Sequence, residues 1–142
     1  MSLRQFGTHL HVATDGKALV EITDRVREWT EALGLQNGLL TVFCRHTSAS
    51  LLIQENAAAA VRADLERFFD RLAPERPPTP YEHDDEGPDD MPAHLKTALT
   101  QVQLTIPIEK GRLALGTWQG IYLFEHRRAA HRRDIVLHVL GE

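Results

Sequence analysis

Eight histidines in 142 residues place imidazole, a metal ligand that titrates near neutrality, at many points of this chain. Three of them stand beside strand ends, loops or helix starts, where site residues concentrate. His46 opens the run His46-Thr47-Ser48-Ala49-Ser50, His83 lies in an acidic loop, and His94 lies in Asp89-Asp90-Met91-Pro92-Ala93-His94-Leu95-Lys96. Imidazoles from three separate segments can hold a divalent ion such as zinc and leave one position open. Independent loop histidines are the alternative, because the spacing matches no dense metal motif. The remaining histidines read more simply. His9 and His11 share one face of a strand and are best taken as half-exposed, although they could chelate as a pair. His138 alternates with Val136 and Leu140 and reads as packed. His131 sits among arginines and reads as a surface turn residue.

Phosphate chemistry is the second possibility. Thr47, Ser48 and Ser50 offer hydroxyls, and Lys96, Arg112 and Thr117 offer further donors. Charge-assisted hydrogen bonds from such groups suit phosphate, with ordinary turn chemistry as the alternative. Neither GxGxxG nor GxxxxGK[ST] occurs, so no glycine-rich nucleotide loop is expected. Asp64 borders an apolar helical stripe and calls for an ion pair. Cys44 has no CxxC partner and reads as an inert core thiol. Glycines flank Thr117, Trp118 and Gln119 in Gly111-Arg112-Leu113-Ala114-Leu115-Gly116-Thr117-Trp118-Gln119-Gly120. Glycine inside a strand pattern marks a bulge or a close backbone approach. This run, the hydroxyl run and the Asp89–Lys96 run are expected to build one polar site.

The elements that position these residues follow from periodicity and turn chemistry. Strands are expected at 5–13 and 17–22, with Asp15-Gly16 as a hairpin turn. Thr23 should cap a helix that stops at Gly34. The apolar run 39–44 suggests a strand buried on both faces. Asn56 should cap a helix over 57–72 whose stripe is Val61, Leu65, Phe68, Phe69 and Leu72. A long proline-rich acidic loop at 73–90 is of the length that is usually functional or disordered. A short helix at 91–100 and strands at 102–108, 112–117, 119–126 and 133–140 complete the chain, with Lys110-Gly111 as a turn. The order implies an α+β fold with a mainly antiparallel, sandwich-like core and two or three helices.

Composition bounds the function. A chain of 142 residues is expected to form one domain spanning 1–142. A net charge of −4 argues against a general nucleic-acid binder. No apolar run reaches membrane-spanning length, and Met1-Ser2-Leu3-Arg4-Gln5 lacks a secretory h-region, so no secretory leader is expected. The single cysteine suits a reduced compartment, so a cytoplasmic location is expected.

His46-Thr47-Ser48-Ala49-Ser50-Leu51, Glu55-Asn56-Ala57, Asp64, Asp89 to Lys96, Ile106-Pro107-Ile108 and Gly111 to Tyr122 together resemble the YjbQ family, also described as secondary thiamine-phosphate synthases. The resemblance runs from about residue 4 to Gly141. It implies a compact α+β homotrimer with a histidine-lined, metal- or anion-binding pocket near a subunit boundary. It implies His46, His83 and His94 as ligands of a divalent metal ion, and His46, His94 and Gln119 as catalytic. Thr47, Ser48, Lys96, Arg112, Thr117 and Trp118 would bind a phosphorylated small-molecule substrate. The implied activity is a weak condensation of hydroxymethylpyrimidine diphosphate with thiazole phosphate, releasing pyrophosphate. Metal-dependent chemistry on another phosphorylated metabolite, or a non-catalytic metal- or anion-binding trimer, are the alternatives. His126 receives no assignment.

Overall fold

The computed structural model describes residues 2–142. In chain order the elements are β1 (Arg4–Asp15), β2 (Ala18–Glu21), α1 (Thr23–Glu31), β3 (Asn37–Cys44), β4 (Ala49–Glu55) and α2 (Ala59–Leu72). They continue with α3 (Asp90–Leu99), β5 (Gln103–Glu109), β6 (Arg112–Leu113), β7 (Gln119–Glu125) and β8 (Ala130–Gly141). The strands form two antiparallel sheets, ordered β1-β8-β3-β5-β6 and β2-β7-β4. With three helices this is the α+β class expected.

Alternation along the strands builds the core. Leu40, Val42 and Cys44 of β3, Leu104, Ile106 and Ile108 of β5, and Ile135, Leu137 and Val139 of β8 point inward. Leu51, Ile121 and Leu123 of the smaller sheet and Val26 of α1 meet them. Burial of this apolar surface is the main favourable term in folding. Cys44 is enclosed, and burial pushes its thiol pKa up, as an inert core thiol requires. The β3 run is buried on one face only, because Leu39 and Phe43 are exposed on the other. Their neighbour across the sheet, Leu140, is exposed as well, so an apolar stripe lies on the outer surface. Helix α2 buries no residue fully, and Phe68 and Leu72 of its expected stripe face outward.

Several local expectations change. Asp15-Gly16, with Gly16 at φ 104°, carries the chain from one sheet to the other, because β2 pairs with β7 and not with β1. Likewise β6 pairs with β5 and β7 with the smaller sheet, so the strands expected at 112–117 and 119–126 lie in different sheets. The turn at Lys110-Gly111 joins β5 to β6, both residues having positive φ. Thr23 does not cap α1. Its hydroxyl donates to Glu21 and accepts from the Ile121 N–H. At α2 the Glu55 carboxylate, rather than Asn56, accepts the Ala58 N–H. Asp64 is exposed and paired with Arg67.

Strands β3 and β8 approach closely at two glycines. A Cβ on Gly38 would lie 2.5 Å from the Leu140 carbonyl oxygen and 2.9 Å from the Gly141 Cα. Both obstacles are backbone, so they yield poorly. Gly38→Ala should therefore destabilise the protein by about 1–3 kcal/mol, the usual cost of overpacking, read as a lower midpoint in denaturant melts.

Candidate metal centre

Helix α3 sets the geometry of the site. Asp90 and His94 are one turn apart and share a face. The acidic loop before the helix brings His83 to the same place. His83 Nε2 lies 2.6 Å and His94 Nε2 3.1 Å from the same oxygen, Asp90 Oδ2. The two rings meet edge to face with centroids 5.6 Å apart. One ligand atom from each of the three residues falls within 4.8 Å of the others. Asp85 and Glu86 form a second such group with His83, at the exposed rim.

The hydrogen bonds say what this cluster needs. His94 Nδ1 lies 2.9 Å from the Thr47 carbonyl oxygen, which can only accept, so Nδ1 carries a proton. His94 Nε2 is then turned toward Asp90 Oδ2, an acceptor. A second proton or a cation must sit between two such atoms. A metal-bound histidine usually has its other ring nitrogen anchored in this way, on a backbone carbonyl or a carboxylate. His83 repeats the pattern, with Nε2 facing Asp90 Oδ2 and, at 3.0 Å, Glu86 Oε2. The hydrogen bond to Asp90 raises the His83 pKa above its ordinary value, with Glu86 and Asp85 adding to it. Burial opposes ionisation of Asp90, yet the His83 hydrogen bond and the nearby positive charges hold its pKa below the usual range. Two imidazole nitrogens and a carboxylate oxygen suit zinc or a similar ion.

Asp90 is held from behind. Arg127 spans the acidic pair, with Nε 3.0 Å from Asp89 Oδ2 and Nη1 2.5 Å from Asp90 Oδ1. Its third donor, Nη2, reaches the Glu86 carbonyl oxygen at 3.0 Å. The Arg127 N–H in turn donates to Glu125 Oε2 at 3.1 Å. Glu125 is fully buried and paired with Arg133 at 2.5 Å, and Arg133 also donates to the Ser48 carbonyl and hydroxyl oxygens. The end of β7 thus ties together the acidic loop, α3 and the hydroxyl run.

Of the residues singled out in the sequence, the structure gathers some and separates others. His83 and His94 converge, and Thr47 supports His94 through its carbonyl. His46 stands apart, because its Nε2 accepts the Asp134 N–H at 2.8 Å. That bond occupies its lone pair, so among the described residues the atoms that converge belong to His83, His94 and Asp90, with His46 apart from them. Burial and the Arg133 charge also lower the His46 pKa. Lys96 is buried and paired with Asp70 at 2.6 Å, on the side of α3 away from the cluster. Arg112, Thr117, Trp118 and Gln119 lie at the opposite end of the sheets. Ala49 pairs with Glu125 at the histidine end of β4 and β7, whereas Glu55 pairs with Gln119 at the other. At ~3.3 Å per residue, this strand holds its two ends roughly 20 Å apart. The expected single site therefore divides between two ends within one chain. The expected close approach does occur at Gly120, where a Cβ would lie 2.8 Å from Glu21 Oε2. The sequence pattern assigns no site role to Glu125, Arg127 or Arg133, although charged residues directly after an apolar strand, Glu125-His126-Arg127-Arg128, are a signal it carries.

Comparison with known proteins decides the family. The model described as UPF0047 protein YjbQ-like matches residues 8–142. The chain belongs to the YjbQ-like UPF0047 family. A UPF0047 protein of Synechocystis is 49% identical over 141 residues, covering 99% of this chain and 95% of its own. The UPF0047 protein YjbQ of Salmonella typhimurium is 45% identical over 132 residues, covering 93% and 88%. Among solved structures, a protein of Sulfolobus solfataricus described as YbjQ-like and of unknown function superposes with a TM-score of 0.91 at 25% identity. It covers 99% of this chain and 100% of its own. A hypothetical protein of Aeropyrum pernix gives 0.85 at 31% identity, covering 96% and 99%. No helix among the described residues is long and apolar enough to cross a membrane.

Two outcomes follow from the geometry. Arg127→Met should weaken zinc binding by about 10–100-fold, the usual effect of removing a group that orients a ligating carboxylate, with a titration on chelator-treated protein as the measurement. Zinc must displace the His83 proton, and that proton is held more tightly than usual. Affinity should therefore be full above the raised His83 pKa and fall as pH drops through it, read from titrations at successive pH values.

Proposed function

We propose that this protein is a divalent-metal-dependent enzyme acting on a phosphorylated small molecule, with His83, Asp90 and His94 as the metal ligands. The observation that carries this reading is the convergence of His83 Nε2 and His94 Nε2 on one Asp90 oxygen while the Thr47 carbonyl fixes the other His94 nitrogen. A divalent ion held there would supply positive charge to a phosphate oxygen. A cavity of about 370 Å³ opens beside His83, walled by Pro77, Pro80, Tyr81 and Met91, with Arg76 at its edge. Its apolar wall suits a ring and its arginine suits a phosphate. The Tyr81 hydroxyl donates to the Pro74 carbonyl at 2.7 Å and pins this part of the loop.

Within that class, the reaction to test first is the one the family resemblance implies. The thiazole nitrogen would attack the methylene carbon of hydroxymethylpyrimidine diphosphate, the carbon–oxygen bond would break, and pyrophosphate would leave. Such a step needs charge on the departing phosphates and shelter from water. Production of thiamine phosphate from the two purified precursors, with and without zinc or magnesium, is the assay. Wild type should form product with metal, and His94→Ala should lose at least 100-fold. Metal-loaded, folded wild type that forms no product would remove this reaction, and turnover of another phosphorylated compound lost in His94→Ala would keep the broader class.

The reading includes a homotrimer. Leu39, Phe43 and Leu140 on the outer sheet and Phe68 and Leu72 on α2 leave apolar surface uncovered, and Trp118 is 63% exposed. Such surface suits contact with further copies. Packing of one subunit's Gly116–Gln119 turn against the next subunit's histidine end would also reunite the two ends of the expected site. Sedimentation velocity at micromolar concentration should give a trimer, and a monomer would remove this part of the proposal.

A further inference from the structure

A second cavity, of about 250 Å³, lies across α3 from the metal cluster. Pro92 and Lys96 on its wall are each two positions on from Asp90 and His94, about 200° around the helix. The groups that matter in it are Lys17, Asp70, Glu75, Lys96, His126 and Arg128. The metal reading uses none of them.

His126 is 1% exposed, and its Nδ1 has no hydrogen-bond partner. Which kind of atom Nδ1 presents follows from a chain of hydrogen bonds. Thr100 has a single hydroxyl proton, and the Lys96 carbonyl oxygen 2.8 Å away can only accept it. At the 2.6 Å contact between Thr100 Oγ1 and Ser50 Oγ, Ser50 is then the donor. His126 Nε2, 2.9 Å from Ser50 Oγ, carries the ring proton and donates to Ser50. Burial, with the Lys96 charge, pushes the His126 pKa down to about 3, so the ring is neutral. Nδ1 is therefore a bare acceptor. Glu75 offers a second one. Its Oε2 takes Arg128, while its buried Oε1 has no partner. Unpartnered buried polar atoms are rare, because each costs much of its hydration free energy.

The cations of the cavity are unevenly matched. Lys17 at 3.0 Å and Lys96 at 2.6 Å share one oxygen of Asp70. Glu66 is the next acid in range of both lysines, and burial with the Asp70 charge pushes its pKa up. Arg128 is matched by Glu75, and Asp89 by Arg127. The cavity thus sets two cations on a single Asp70 oxygen and holds two acceptors that lack donors.

We propose that this cavity binds a small zwitterion, its phosphate or carboxylate at Lys17 and Lys96 and its ammonium at His126 Nδ1 and Glu75 Oε1. The site shares Glu75 with the wall of the cavity beside His83 but uses none of the atoms that converge on Asp90 Oδ2. Isothermal titration of chelator-treated protein with O-phosphoethanolamine, β-alanine and inorganic phosphate tests it and separates the two kinds of anion. At least one zwitterion should bind ten-fold or more tightly than phosphate. Lys17→Met and Glu75→Gln, both changes near the surface, should each weaken it ten-fold or more. The ¹⁵N signal of His126 Nδ1 should move on addition of the zwitterion. Absence of binding by both zwitterions, wild-type affinity in both variants, or an unmoved Nδ1 signal would each overturn the proposal.

Discussion

The Arg127 guanidinium is the contact on which the site depends. Two neighbouring carboxylates, Asp89 and Asp90, are buried beside two further acids and would repel one another unless a cation lay between them. Arg127 supplies that cation as a planar fork and takes Asp90 Oδ1, which leaves Oδ2 facing both histidines. A lysine is a single point charge and could not fix both acids at once. The same guanidinium holds the Glu86 carbonyl, so the acidic loop is anchored by the group that orients Asp90.

Arg127 is itself placed by burial. It lies two residues beyond β7, whose last residue, Glu125, follows an apolar run into a polar interior. Glu125 there is fully buried and held by Arg133, Thr14 and the Arg127 N–H. Burial disfavours its charge, and these donors overcome that, leaving its pKa below the usual range. An ion pair so enclosed adds little net stability, but loss of either partner strands the other charge. It determines how β7, β8 and the hydroxyl run meet, and so where Arg127 emerges.

The elements with a clear physical signature were legible in the sequence. Alternation in β5 and β8, the Lys110-Gly111 turn and the α3 helix all stand close to where they were expected. So did His83 and His94, because loop and helix-start positions are recognisable without the fold. What was not legible is long-range. The strand Ala49–Glu55 was hidden behind hydroxyl residues that looked like turn chemistry. The separation of Trp118 and Gln119 from the histidines depends on the antiparallel direction of β4 and β7, which local pattern does not carry. The role of His46 depends on a single backbone N–H from Asp134, 88 residues away. Asp90 looked like a helix-start acid, and only the approach of His83 and Arg127 gives it another part.

The most direct test is anomalous diffraction from crystals grown with zinc, recorded on both sides of the zinc edge. The account predicts one strong peak within about 2.0–2.2 Å of His83 Nε2, Asp90 Oδ2 and His94 Nε2. A peak centred elsewhere, such as at His9, His11 and Asp134, with none between His83 and His94, would contradict it.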